Sequence, residues 1–372
     1  MFELYGICIS AAIFSFFLLS TVLGAVSSPR VIVHNTHKSI RDLLDPPGSS
    51  LNPLLRSRAS PNVRLLRAFH LSNTFVSSDP TIHANFQAVD LALPDQPTPF
   101  HVFVRSVTLR TIIVGLLNSH VDMTSLASND VNIVTNLITE IWILSKKPDP
   151  IPEHLLGMLN DRLRRLIPDQ DAYPNPLDFV IPTWETLWRV VAVTLAYVHT
   201  DREARRAFLD LTGCPNPKQF HTLHGASPSV ENYITESLRL HPPVRHITRH
   251  IFRQSLLTAF LPGAIKSRIP LRVETHIADI ESAQRSVPWE SDSSFPEAFD
   301  AARFLHEPKA SGILAFGVGP LKCAAMNWAP MAAALIVGAI LNRVDGMNYY
   351  IVRGERVGER TGWDGWIIHK VA

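Results

Sequence analysis

The sequence predicts a mainly α-helical protein with a minor β component, preceded by an N-terminal transmembrane helix. Three observations carry this. Apolar residues recur at helical spacing through the middle of the chain, short segments rich in β-formers follow Pro242, and residues 4–26 hold no charged side chain.

Bulk composition sets the outer bounds. With 372 residues, 46% of them hydrophobic and 18% charged, the chain has enough apolar material for a large core, and disorder is excluded as its main state. The formal net charge is +2 and no basic run is interleaved with aromatics, so no nucleic acid is expected as a partner. Cys8, Cys214 and Cys323 lie far apart, which leaves neither a disulfide framework nor a Cys-x-x-Cys zinc site. The 28 prolines cluster between apolar segments, and no internal repeat is present.

Residues 1–26 form the first unit, a membrane anchor. The uncharged run at 4–26 is long enough to cross a hydrocarbon core of roughly 30 Å as a helix. Small residues at Gly24 and Ala25 would suit a cleaved signal peptide, but Glu3 and the lack of a basic residue ahead of the run favour an uncleaved anchor. Arg30, Lys38 and Arg41 follow the segment and place the body on the cytosolic side. Residues 27–96 read as a linker and a poorly assigned N-terminal part, in which RVIVHN is the one strand-like piece.

The body proper is expected from residue 97 to 372. Helical spacing covers 100–117 and 131–144, and HLLGMLNDRLRRLIPD adds a helix that ends near Pro168. The stretch 177–211, with Pro182 near its start, predicts the longest helix of the body. HITRHIF and PLRVETHIADI read as strands, and YYIVRGERVGER with GWIIHKVA reads as a hairpin.

Four stretches carry chemistry. In FGVGPLKCAA an apolar run enters a loop containing Gly317 and Gly319, and an apolar helix leaves it just after Cys323. A helix N-terminus favours a thiolate, the form of sulfur that binds iron strongly, and glycines let the backbone approach a flat ring. A buried structural cysteine beside a tight turn is the plain alternative. A dinucleotide loop fails, because Lys322 stands at the third glycine position and no acidic residue follows at the required distance. A second membrane span at 326–341 is shorter than a comfortable crossing, so a buried core helix is expected there.

In ENYITESLRLHPP, Glu236 and Arg239 are one helical turn apart in an apolar frame stopped by Pro242 and Pro243. Glu203 and Arg206 share that spacing and read as a solvated helix face. In FPEAFDAARFL, Arg303 could complete the bridge to Glu236. In FVIPTWETLWRVV, Glu185 and Thr186 form an acid–alcohol pair suited to moving protons, unless the threonine only bonds back to its own helix.

These pieces, in this order, resemble the cytochrome P-450 superfamily from residue 179 onward, and TWETLWRVV is similar to its fungal members. The resemblance implies a P-450-like fold in which Cys323 is the axial ligand of the iron of heme b. It implies that Phe316, Gly317 and Gly319 shape the ligand loop. Glu236, Arg239 and Arg303 would be the structural salt-bridge triad, and Glu185 with Thr186 the oxygen-activating pair. Arg249, and with it Arg245, would meet a heme propionate. The implied activity is a monooxygenase that inserts one oxygen atom of O2 into a hydrophobic small molecule, in fungal secondary metabolism. Electrons would come from NADPH through a reductase, on a single-pass protein of the endoplasmic reticulum membrane with a cytosolic catalytic domain.

The chain also departs from the pattern. Leu321 stands two residues before the cysteine where Arg or His is usual, so one propionate contact is lost unless Lys322 replaces it. Ala325 replaces a glycine, Pro182 and Thr183 replace small residues, no Trp-x-x-x-Arg helix is found, and little room is left for a substrate-covering lid. These departures favour the second reading: a shortened heme-thiolate isomerase or dehydratase, or a non-catalytic membrane protein.

Overall fold

The computed structural model describes residues 30–45, 79–117, 121–223, 225–253, 272–286, 296–305, 313–319 and 322–371. The expected anchor at 1–26 lies outside the described residues.

The helical body is built around α12 (Ala329–Gly346), here numbered in chain order, the longest helix among the described residues. Its apolar side chains leave no polar face over Met331–Leu341, so it must be covered on all sides. α8 (Arg202–Gly213), α2 (Asp79–Ala92), α7 (Leu187–Val198) and α10 (Val230–Leu240) pack around it. At Gly338 the approach of α8 is so close that a Cβ would sit 2.5 Å from Thr212 Cγ2 and 2.7 Å from the Phe208 carbonyl oxygen. Further out lie α3 (Phe100–Thr111, continued by a π-turn at Ile112–Leu117), α4 (Ser128–Leu144) and α5 (Glu153–Leu166). Phe100–Leu117, Leu177–Val198 and Ala329–Gly346 are long and apolar enough to cross a membrane, yet each is mostly buried against protein. The stretch weighed as a second span is thus a core helix.

Two small sheets flank the helices. β1 (Arg30–His34) runs parallel to β4 (Arg272–Asp279), which pairs antiparallel with β3 (His246–Arg253). The C-terminal hairpin pairs β5 (Tyr349–Val352) with β6 (Ile367–Lys370), and β2 (Thr98–Pro99) adds to its edge.

Two expectations need correction. Residues 27–96 are not simply a linker: β1 is a sheet strand, α1 (His37–Leu44) buries Ile40 and Leu44 against Ala278 and Ile280, and α2 packs on α3 and α12. The stretch 177–211 is not one helix. It divides into α6 (Leu177–Trp184), α7 and α8, with breaks at 185–186 and 199–201. Pro182 lies inside α6, and its missing N–H and bulky ring weaken the ladder there. The hydroxyl of Thr183 then donates to the Phe179 carbonyl at 2.6 Å. The back-bonded threonine of this segment is therefore Thr183 and not Thr186.

Candidate heme-thiolate site

Residues 313–319 fold back on themselves and meet Cys323. Gly317 N–H donates to the Leu314 carbonyl at 2.7 Å, and Cys323 N–H donates to the Phe316 carbonyl at 2.8 Å. Gly317 and Gly319 have φ of +67° and +74°, the left-handed region that glycine enters freely. At Gly319 a Cβ would also fall 2.7 Å from Asp45 Cβ, so the loop can lie on the end of α1 only without a side chain there.

Gln284 of α11 (Ile280–Ser286) was not singled out in the sequence, yet it anchors this loop. Its oxygen accepts the Leu314 N–H at 2.6 Å, and its NH2 donates to the carbonyls of Leu238 and Arg239 at 3.0 Å each. A glutamine so far from the cysteine gives no sequence signal of that contact.

Cys323 does not cap α12 directly. One turn of 3-10 helix, Ala324–Asn327, intervenes. Burial pushes its thiol pKa up and the Ala325 N–H pulls it down, so desolvation, not a helix dipole, dominates.

The sulfur faces a mainly apolar cavity with about 290 Å³ of water-accessible space. Thr183, Thr186 and Val190 line one wall at the α6–α7 break, Val244, Ile247 and Arg249 a second, and Phe316, Gly317 and Cys323 a third. Arg249 is half-buried with its pKa lowered by desolvation, and no carboxylate among the described residues pairs with it. Gly319 and Lys322 do not line the cavity, and Lys322 is exposed. Lys322 therefore does not replace the missing cation at 321. Arg245 is also elsewhere: it pairs with Glu281 at 3.1 Å and with Glu359.

Behind the loop, Glu236 and Arg239 are wholly buried and joined by bonds of 2.7 and 2.8 Å. Arg303 Nε lies 3.5 Å from Glu236 Oε1, which also accepts the Asp300 N–H at 3.0 Å. The three residues meet in one cluster.

The acid–alcohol pair is split. Thr186 lines the cavity, whereas Glu185, 5% exposed, turns away from it. One helical step separates them by about 100°. Glu185 Oε1 accepts Arg360 Nε and Nη2 at 2.8 and 2.5 Å, and Oε2 accepts Arg189 Nη2 at 3.4 Å. Arg105 stacks 4.4 Å above Trp188 and donates to the Arg360 carbonyl at 2.6 Å. Desolvation pulls Arg105 and Arg189 down to about 10, against the raising effect of Glu185.

Comparison with known proteins bears on the sequence and the fold as a whole. No protein-family model matches the chain. The sequence is 27% identical over 177 residues to a cytokinin hydroxylase of Arabidopsis thaliana and 28% identical over 199 residues to cytochrome P450 CYP749A22 of Panax ginseng. These matches take in 47% and 50% of this chain but only 30% and 36% of those relatives, so the chain matches about a third of their length. In fold, it superposes on CYP175A1 of Thermus thermophilus with a TM-score of 0.58 at 15% identity, covering 91% of this chain and 88% of that one. A six-coordinated cytochrome P450, also from Thermus thermophilus, gives 0.57 at 14% identity, covering 91% of both chains. The chain is thus similar to cytochromes P450 in sequence over about half its length and shares their fold. Heme iron held by a cysteine thiolate is what the likeness to cytochromes P450 implies, and the residues present fit it. A lone sulfur, apolar walls and one half-buried arginine open on the same cavity, and together they match an iron macrocycle bearing carboxylates.

Proposed function

We propose that this chain is a heme-thiolate monooxygenase of the cytochrome P450 type that inserts one oxygen atom of O2 into a hydrophobic small molecule. The observation that carries it is that Cys323 and Thr186 line the same apolar cavity. Heme, when bound, supplies the oxygen-activating chemistry. Cys323 would hold it from the loop side, Arg249 would neutralise a propionate, and Phe316 and Val190 would keep water from the ring. The Thr186 hydroxyl would hold a proton at the cavity wall. Glu236, Arg239 and Arg303 would keep the loop's support in place. The hydroxylase name of the Arabidopsis relative supports the reaction class, and plant relatives of this kind support association with the endoplasmic reticulum membrane. Electrons would come from NADPH through a reductase. A role in fungal secondary metabolism rests on the sequence resemblance alone.

The withdrawal of Glu185 favours a second reading, an isomerase or dehydratase that needs no acid–alcohol pair. Thr186→Ala separates the two. Under the first reading, NADPH- and reductase-supported product formation falls by about 10²-fold, the usual scale for losing a proton-transfer group, while heme content is unchanged. Product formed without NADPH and reductase, at the same rate in Thr186→Ala, would favour the second.

A further inference from the structure

The cluster around Glu185 holds more positive charge than its own carboxylates balance. Arg105, Arg189 and Arg360 gather about Glu185. A second branch adds Arg245 and Arg285, which share Glu281, and Arg245 also reaches Glu359. Five guanidinium groups (105, 189, 245, 285, 360) thus stand beside three carboxylates (185, 281, 359). Arg356, Glu355 and Asp364 lie exposed on the adjoining C-terminal loop, outside these pairs. Arg105 and Arg189 are only 4% and 7% exposed, so water does little to offset their share.

Beside this cluster the segment 356–362 borders an open surface pocket of about 450 Å³, which Ile143 also lines. The backbone there is turned inward. The indole N–H of Trp366 donates to the Arg356 carbonyl at 2.6 Å, that of Trp363 to the Glu359 carbonyl at 2.8 Å, and Arg105 to the Arg360 carbonyl. Three carbonyl dipoles are thereby spent away from the pocket. Gly358 lets the turn sit this close, since a Cβ there would lie 2.6 Å from the Trp363 ring. Glu359, the one carboxylate in the pocket's lining, pairs with Arg245. Arg356 is exposed with no carboxylate partner among the described residues. Arg360 commits Nε and Nη2 to Glu185 and keeps Nη1, while its guanidinium lies over Trp142 at 4.4 Å.

We propose that this pocket is an oxyanion site that takes the carboxylate or phosphate group of a small ligand, with Arg356 and Arg360 as its donors. An anion there shares Arg360 with Glu185, the residue at the break in the helix beside Thr186. The site does not rest on the heme-thiolate reading, because its chemistry involves none of the cavity residues.

The test uses the full chain in detergent, with isothermal titration and 31P line broadening for inorganic phosphate and titration calorimetry for acetate. Saturable one-to-one binding of at least one anion is expected, weakened at least tenfold in Arg356→Gln and partly retained in Arg356→Lys. Phosphate alone binding would assign a phosphorylated ligand, and acetate binding a carboxylate. Arg356 is exposed, so an unchanged unfolding midpoint in both variants is the folding control. Absence of saturable binding by either anion, or equal binding in Arg356→Gln, would overturn the proposal.

Discussion

Glu236→Ala is expected to abolish cooperative unfolding of the chain, with chemical denaturation followed by tryptophan fluorescence as the measurement. Glu236 is 0% exposed and is the carboxylate that Arg239 and Arg303 share, both guanidinium groups being buried too. Removing one member of such a buried pair costs about 3–5 kcal/mol, because the partner's charge stays buried. The Asp300 N–H loses its acceptor as well, which adds about 1–3 kcal/mol. Together these approach the whole stability of a typical domain, about 5–15 kcal/mol. Glu236→Gln keeps the shape and an acceptor for Asp300, so it should unfold cooperatively at a lower midpoint. A loss below about 1 kcal/mol in Glu236→Ala would show that the cluster is not what holds the ligand loop's support.

Glu185→Ala is the second large effect, and it separates two views of this residue. A solvated carboxylate facing the cavity could be removed with little change in stability, within about 0.5 kcal/mol. In the structure its loss leaves Arg105, Arg189 and Arg360 close together without their shared anion. A destabilisation of about 3–5 kcal/mol is expected. The repulsion should be relieved in part by Arg360→Met, so the double variant is more stable than the sum of the single losses, by about 0.5–3 kcal/mol. Additive losses would mean that Arg360 and Glu185 do not act as a pair.

Much of this was legible in the sequence where neighbours along the chain are also neighbours in space. The helical spacing of Glu236 and Arg239 led directly to a bond, and the uncharged run after Cys323 led to a core helix. The C-terminal hairpin followed from its alternating segments. What escaped depends on contacts between distant residues. Arg360 reaches Glu185 across 175 positions and Arg105 reaches the Arg360 carbonyl across 255, distances at which spacing carries no signal. β1 was a lone strand-like piece because its partner, β4, begins more than two hundred residues later. The break at 185–186 was missed for another reason: Pro182 and Thr183 were read for the groove they line, not for the backbone bonds they replace.

The central claim is that Cys323 supplies the thiolate of a heme-binding site, and the most direct test is the reduced, carbon-monoxide-bound difference spectrum of the purified, heme-supplemented chain. A long-wavelength Soret band, absent from Cys323→Ser under the same conditions, is the result expected from a cysteine that lines one cavity with Thr186 and Arg249. A chain that takes up no heme, or a band that persists in Cys323→Ser, would contradict it.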